Sequence, residues 1–243
     1  MSRFSATPNR YVQEALTVDI FYSIVNFFVR GGAFMYPILI VGAVAAAITI
    51  ERYVTLTRLV IRNRSVWKEV EPALVNGDFD KARETTSKDD AAIARLLSVG
   101  LARQGAVRRL DDVEKAMRGS LMEIVPHLEK RTHYLATFAN LATLLGLLGT
   151  VSGLIHAFTA VATANPAEKA NLLAASISEA MNCTAFGLMT AVPILFVHAF
   201  LQTKTSELIS SLETAASKFL VVIADRQSAR AHNRLELAVA AQG

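Results

Sequence analysis

A few polar side chains stand where charge is otherwise missing. Glu179 is the only Asp, Glu, Lys or Arg between Leu172 and Leu201, a run that also holds Thr184 and, near its end, His198. Thr150, Ser152 and His156 lie in a second uncharged run, Leu135 to Thr163. A carboxylate deep in an apolar helix costs from about 2.5 kcal/mol upward, so it must face protein or water and marks a polar path. The alternative for Glu179 is a structural clasp bonded within the helix bundle. Thr150 and Thr184 sit near the middles of their runs, where hydroxyls could line a shared pore. A threonine can also satisfy itself on the carbonyl one turn back, so Thr143 alone says little. Ser152 and His156, one turn apart, suggest a nucleophile and its base. No orienting acid accompanies them, and Gly149-Thr150-Val151-Ser152-Gly153 has the wrong register for a nucleophile elbow. Gly146, Gly149 and Gly153 are followed by no Lys, so no phosphate loop is read. His127, His133, His156, His198 and His232 are scattered, which gives metal binding little support. Neither a catalytic centre nor a cofactor or metal site is expected.

The elements that must carry these residues are membrane helices. Hydrophobic residues make up 52% of the 243 and charged residues 19%, too little polar material to cover a soluble globule of this size. The lone Cys183 forms no internal disulfide and reads as a small packing residue. The net charge of +4 is distributed at the ends of apolar runs rather than as a basic stripe, which points to membrane and not to nucleic acid. Gly31 to Ile50 is uncharged for about 20 residues, the length that crosses a hydrocarbon core as a helix. With Leu135–Thr163 and Leu172–Leu201 this makes three spans. Ile20 to Val29 is too short to cross and is broken by Arg30-Gly31-Gly32, so it reads as an interfacial amphipathic helix. Glu14 and Asp19 just upstream weaken the competing reading as a signal peptide.

Orientation follows from basic residues near the span ends. Arg52, Arg58, Arg62, Arg64 and Lys68 follow the first run, Lys130 and Arg131 precede the second, and Lys204 and Lys218 follow the third. The expected order is an outward N-terminal segment (1–30), a first span (31–58), a cytoplasmic helical domain (59–134), a second span (135–163), an outward loop (164–171), a third span (172–202) and a cytoplasmic helix and tail (203–243). Within the cytoplasmic part, Asn76-Gly77-Asp78 predicts a turn with Asp78 or Asp80 as N-cap, and Gly100, Gly105 and Pro126 predict breaks. Ile93, Leu96, Leu97 and Leu101 recur at helical spacing, as do Leu208, Leu212, Ala215 and Phe219 in the tail.

Small side chains form stripes on the second and third spans. Ala139, Thr143, Gly146, Thr150, Gly153 and Ala157 fall at intervals of three or four, as do Ala180, Thr184, Gly187 and Ala191, with Glu179 and Cys183 at the edge. Such faces let helix backbones approach closely in lipid. They serve equally a channel or a passive scaffold that anchors envelope proteins.

Leu144-Leu145-Gly146-Leu147-Leu148-Gly149-Thr150-Val151-Ser152-Gly153 and Ile177-Ser178-Glu179-Ala180-Met181-Asn182-Cys183-Thr184-Ala185-Phe186-Gly187-Leu188 resemble the ExbB/TolQ/MotA proton-channel family, closest to its ExbB/TolQ branch. The likeness extends to Gly31-Gly32, Met35-Tyr36-Pro37 and Glu51-Arg52, and to Gly77 through Arg83. It implies an all-α, multi-pass protein of the bacterial inner membrane, with its N-terminus periplasmic and its C-terminus cytoplasmic. It further implies a homopentamer whose second and third spans line a channel around an ExbD/TolR-like single-span partner, and it allows a TonB/TolA-like protein as a further partner. Carried over by position, the family's channel threonines fall on Thr150 and Thr184 and its third-span glutamate on Glu179. Its proton-carrying aspartate belongs to the partner, and no span here contains an Asp. The implied function is to couple the proton motive force to work on the cell envelope, in TonB-dependent transport or a Tol-Pal-like system. A four-span flagellar stator fits less well with three spans.

Overall fold

A computed structural model describes residues 25, 27–28, 31–104 and 110–240, with side chains through 229. The segment expected to lie at the interface (residues 20–29) and the break expected at Gly105 therefore fall, apart from residues 25, 27 and 28, outside the described residues. The described residues hold six helices and no β-strand: α1 Met35–Asn76, α2 Phe79–Lys88, α3 Ala92–Arg103, α4 Leu110–Glu129, α5 Thr132–Thr163 and α6 Lys169–Ala240. Three of these helices are long and apolar enough to cross a membrane. The protein is an all-α membrane protein.

The chain divides into two compact units. The first takes residues 1–47 and 134–197. In it α5 and α6 turn their smallest residues inward, with Ala139, Ala142, Ala157, Ala180, Cys183 and Ala191 all buried. Leu144, Leu147, Ile155 and Phe158 of α5, and Met181, Met189, Val192 and Phe196 of α6, are exposed. Apolar side chains outside and small ones inside are the arrangement that lipid selects, because lipid supplies no hydrophobic drive for large side chains to bury.

The second unit takes residues 48–133 and 198–243 and has an ordinary aliphatic core. The residues read as the apolar faces of α3 and of the tail are buried there, with Leu96, Leu97, Leu101, Leu212 and Phe219 fully so. Tyr53 and Phe200 stack at 6.5 Å, with the Lys204 ammonium 5.4 and 5.3 Å from their ring centres. Paired aromatic and basic side chains of this kind suit a membrane–water boundary.

Helix α1 stops where Asn76-Gly77-Asp78 predicts. Asp78 N–H donates to Ala73 O (2.9 Å) and Gly77 N–H to Leu74 O (3.1 Å), with Gly77 at φ 77°. This is a Schellman ending, which needs the left-handed residue that glycine supplies. Arg226 donates to the leftover carbonyl of Val75 at 2.9 Å. Asp78 then caps α2, its Oδ1 accepting the Lys81 N–H at 3.0 Å. Asp78→Ala should lower the unfolding stability of the detergent-solubilised chain by about 1 kcal/mol and Asp78→Asn by much less. Equal losses for the two would show that the cap is not what holds α2.

Two expected breaks are absent. Gly100 lies inside α3, because the missing side chain admits Phe219 and Met117, whose atoms would stand 2.5 and 2.8 Å from an added Cβ. Pro126 lies inside α4, three residues before its end, where it removes the N–H bond to Met122 O without ending the helix. The break comes instead at Lys130-Arg131, with Arg131 at φ 67°.

Candidate functional site

The site is built on the close approach of α5 and α6 within the first unit. The contacts pair Gly146 with Thr184 and Gly187, Gly149 with Cys183, and Gly153 with Ala180, rising along α5 as they fall along α6, so the helices are antiparallel. A Cβ on Gly187 would lie 2.8 Å from Ala142 O and 3.0 Å from Gly146 Cα. One on Gly153 would lie 2.7 Å from the Ala180 Cβ. Backbone thus meets backbone at Gly146–Gly187, which only paired glycines allow. Cys183 is a buried free thiol that fills the space beside Gly149.

The buried line on α5 is Leu135, Ala139, Ala142, Gly146, Gly149, Gly153 and Ala157. Ala139, Gly146 and Gly153 of the expected stripe lie on it. Thr143 does not: it is exposed and donates to Ala139 O of its own helix at 3.1 Å. Ala142 and Gly149 stand where the sequence pattern offered Thr143 and Thr150. On α6 the line runs through Ala180, Cys183, Gly187 and Ala191, and Thr184 flanks it. Both small faces have helical spacing, and spacing alone does not choose between two that overlap.

Thr150 and Thr184 are therefore at the rim of the helix pair, both half-buried. Thr184 Oγ1 donates across the pair to Gly146 O at 2.8 Å. Thr150 Oγ1 donates to Leu147 O of its own helix at 2.6 Å. Since Gly146 precedes Thr150 by one turn, the two hydroxyls are offset by about 6 Å along α5. Glu179 is exposed and lies on α6 about 7.5 Å along the axis from Thr184. Its carboxylate rests against Gly32, whose φ is 77°, in the turn that leads into α1. That contact joins residues far apart in the chain, and no local pattern signals it. Among the described residues no three His, Cys, Asp or Glu side chains converge as a metal site.

Close-packed spans with hydroxyls and a carboxylate at their rim fit a protein that handles small ions within a membrane. The model of the MotA/TolQ/ExbB proton channel family matches residues 88–214, and the chain belongs to that family, in its ExbB/TolQ-like branch. It is similar to the ExbB-like 1 biopolymer transport protein of Synechocystis sp., 31% identical over 186 residues that cover 74% of this chain and 71% of that one. The Tol-Pal system protein TolQ of Haemophilus influenzae is 30% identical over 109 residues, 45% of this chain and 47% of its own length. The biopolymer transport protein ExbB of Xanthomonas campestris is 30% identical over 111 residues, 46% of this chain and 44% of its own. The chain thus spans less than half the length of the last two.

Proposed function

We propose that this chain is the channel subunit of a proton-driven motor in the bacterial inner membrane, acting with an ExbD/TolR-like partner to do work on the cell envelope. The observation that carries the reading is the Thr184 hydroxyl on Gly146 O, at the rim of a glycine-paired α5–α6 contact in a chain of this family. Copies of the chain, five on the family's pattern, would surround the partner's single span with α5 and α6 innermost. Residues 59–134 and 203–243 would face the cytoplasm, and residues 164–171 the periplasm. Protons would reach the partner's aspartate beside Thr150 and Thr184, neutralise it and let it move past the threonines of the next subunit. Glu179 would hold the path at the Gly32 end. One charge crossing 100 mV releases about 2.3 kcal/mol, so several protons suffice to bias a helix rotation. The work would serve TonB-dependent transport or a Tol-Pal-like system.

A passive scaffold is the second reading, favoured by one observation: both threonine hydroxyls already have backbone acceptors. Thr184→Val and Glu179→Gln separate the two. The first removes one interhelix bond, worth about 0.6 kcal/mol in membrane proteins, which is too little to prevent assembly. Mass spectrometry of the complex in mild detergent should show a pentamer with an Asp-bearing single-span protein in both variants, while proton-dependent envelope function falls to background. Full function in both would leave the scaffold.

A further inference from the structure

We propose that Gly32 is the positioning residue for Glu179, its absent side chain being the space into which the carboxylate folds. The inference rests on the role of Glu179 given above. A Cβ built on Gly32 would overlap Oε1 of Glu179, and would lie 3.1 Å from its Cδ and 3.2 Å from its Cγ. Real Cβ atoms do not approach neighbours in that way, so any side chain at position 32 expels the carboxylate from its seat.

The seat is fixed on both sides. Gly31 N–H donates to Phe28 O (3.3 Å) and Met35 N–H to Gly32 O (3.2 Å), which closes the turn at each end. Gly31 is itself confined by Met35, whose side chain is fully buried and would meet a Cβ at 2.6 Å. On the other side, α6 holds Glu179 in place through its neighbour Ala180, buried against Gly153. Neither backbone can retreat without breaking these contacts, and the Glu179 side chain is left to move. A misplacement of about 1 Å can cost a reacting group ~100-fold, so a carboxylate serving a proton path is sensitive to such a shift. The two glycines accordingly differ in kind: Gly31 makes room for packing and Gly32 makes room for a functional group.

The test has a geometric arm and a functional arm. In the full-length chain carrying Cys183→Ala, the pair Gly32→Cys and Glu179→Cys is oxidised in native membranes. The 3.2 Å between the Gly32 Cβ position and Glu179 Cγ is close to the geometry of a disulfide, so a crosslink should form. Its absence, with each thiol reactive to maleimide alone, overturns the proposal. In the functional arm Gly32→Asn is used beside Gly32→Ala, because asparagine tolerates the left-handed turn while still carrying a Cβ. Both should lower proton-dependent function about tenfold at unchanged membrane level and oligomer size, and should add nothing to Glu179→Ala. Glu179→Asp, shorter by one methylene, should recover part of the Gly32→Ala loss. Additive losses overturn the proposal. If the crosslink forms but Glu179→Ala is fully active, the reading of Glu179 fails, and the role of Gly32 in function fails with it, while the contact itself stands.

Discussion

Gly187→Ala is expected to destabilise the protein although the same change at Gly119 stabilises it. Both glycines lie inside helices, where alanine is favoured by about 1 kcal/mol. At Gly119 an added Cβ meets nothing within 4 Å, so that gain is kept. At Gly187 it meets Ala142 O at 2.8 Å and Gly146 Cα at 3.0 Å, both of them backbone. No rotamer change relieves a clash with backbone, so α5 and α6 must separate, weakening the Thr184 to Gly146 bond and loosening Ala180 against Gly153. Overpacking a tight contact typically costs about 1–3 kcal/mol, which outweighs the propensity gain. Thermal unfolding in detergent should therefore fall for Gly187→Ala and rise for Gly119→Ala, and Gly187→Leu should prevent assembly. A Gly187→Ala chain that melts at or above the parent would mean that the two helices do not touch there.

What the sequence reveals and what it hides follow from the range of the interactions. The spans are legible because lipid demands long uncharged runs, and the Asn76-Gly77-Asp78 turn because its chemistry is local. The small faces of α5 and α6 are legible as faces. Choosing Ala142 over Thr143 and Gly149 over Thr150 depends on the rotation of α5 toward α6, and tertiary packing sets that rotation. Gly100 and Pro126 resemble breaks because propensity is a weak prior that packing overrides. The seat of Glu179 on Gly32, and the role of Arg52, join positions so distant that no periodicity records them. Arg52 in particular reads from sequence as one of several basic residues that orient the first span.

In the structure it does something more. Arg52 is 5% exposed, and its guanidinium donates to Thr132 Oγ1 from Nε (3.2 Å) and to Leu128 O from Nη2. Leu128 is in the last turn of α4 and Thr132 is the first residue of α5, so one side chain on α1 holds both sides of the break at Lys130-Arg131. The rigid fork of arginine makes this possible, and lysine, a point charge, cannot serve two acceptors in different directions equally well. Arg52→Met removes both donors while leaving the carbonyl and the buried hydroxyl in place, and each unsatisfied group costs about 1–3 kcal/mol. The expected loss of stability is thus about 2–6 kcal/mol, with Arg52→Lys losing less. Glu51→Gln is the control. Glu51 pairs with Arg131 at the break, but both side chains are about half exposed and such pairs contribute ~0–1 kcal/mol. Trypsin reports the outcome directly, since Lys130 and Arg131 are its cleavage sites: cutting there should be fast in Arg52→Met, intermediate in Arg52→Lys and near the parent rate in Glu51→Gln. An Arg52→Met chain as resistant and as stable as the parent would show that the α4–α5 break is held without Arg52.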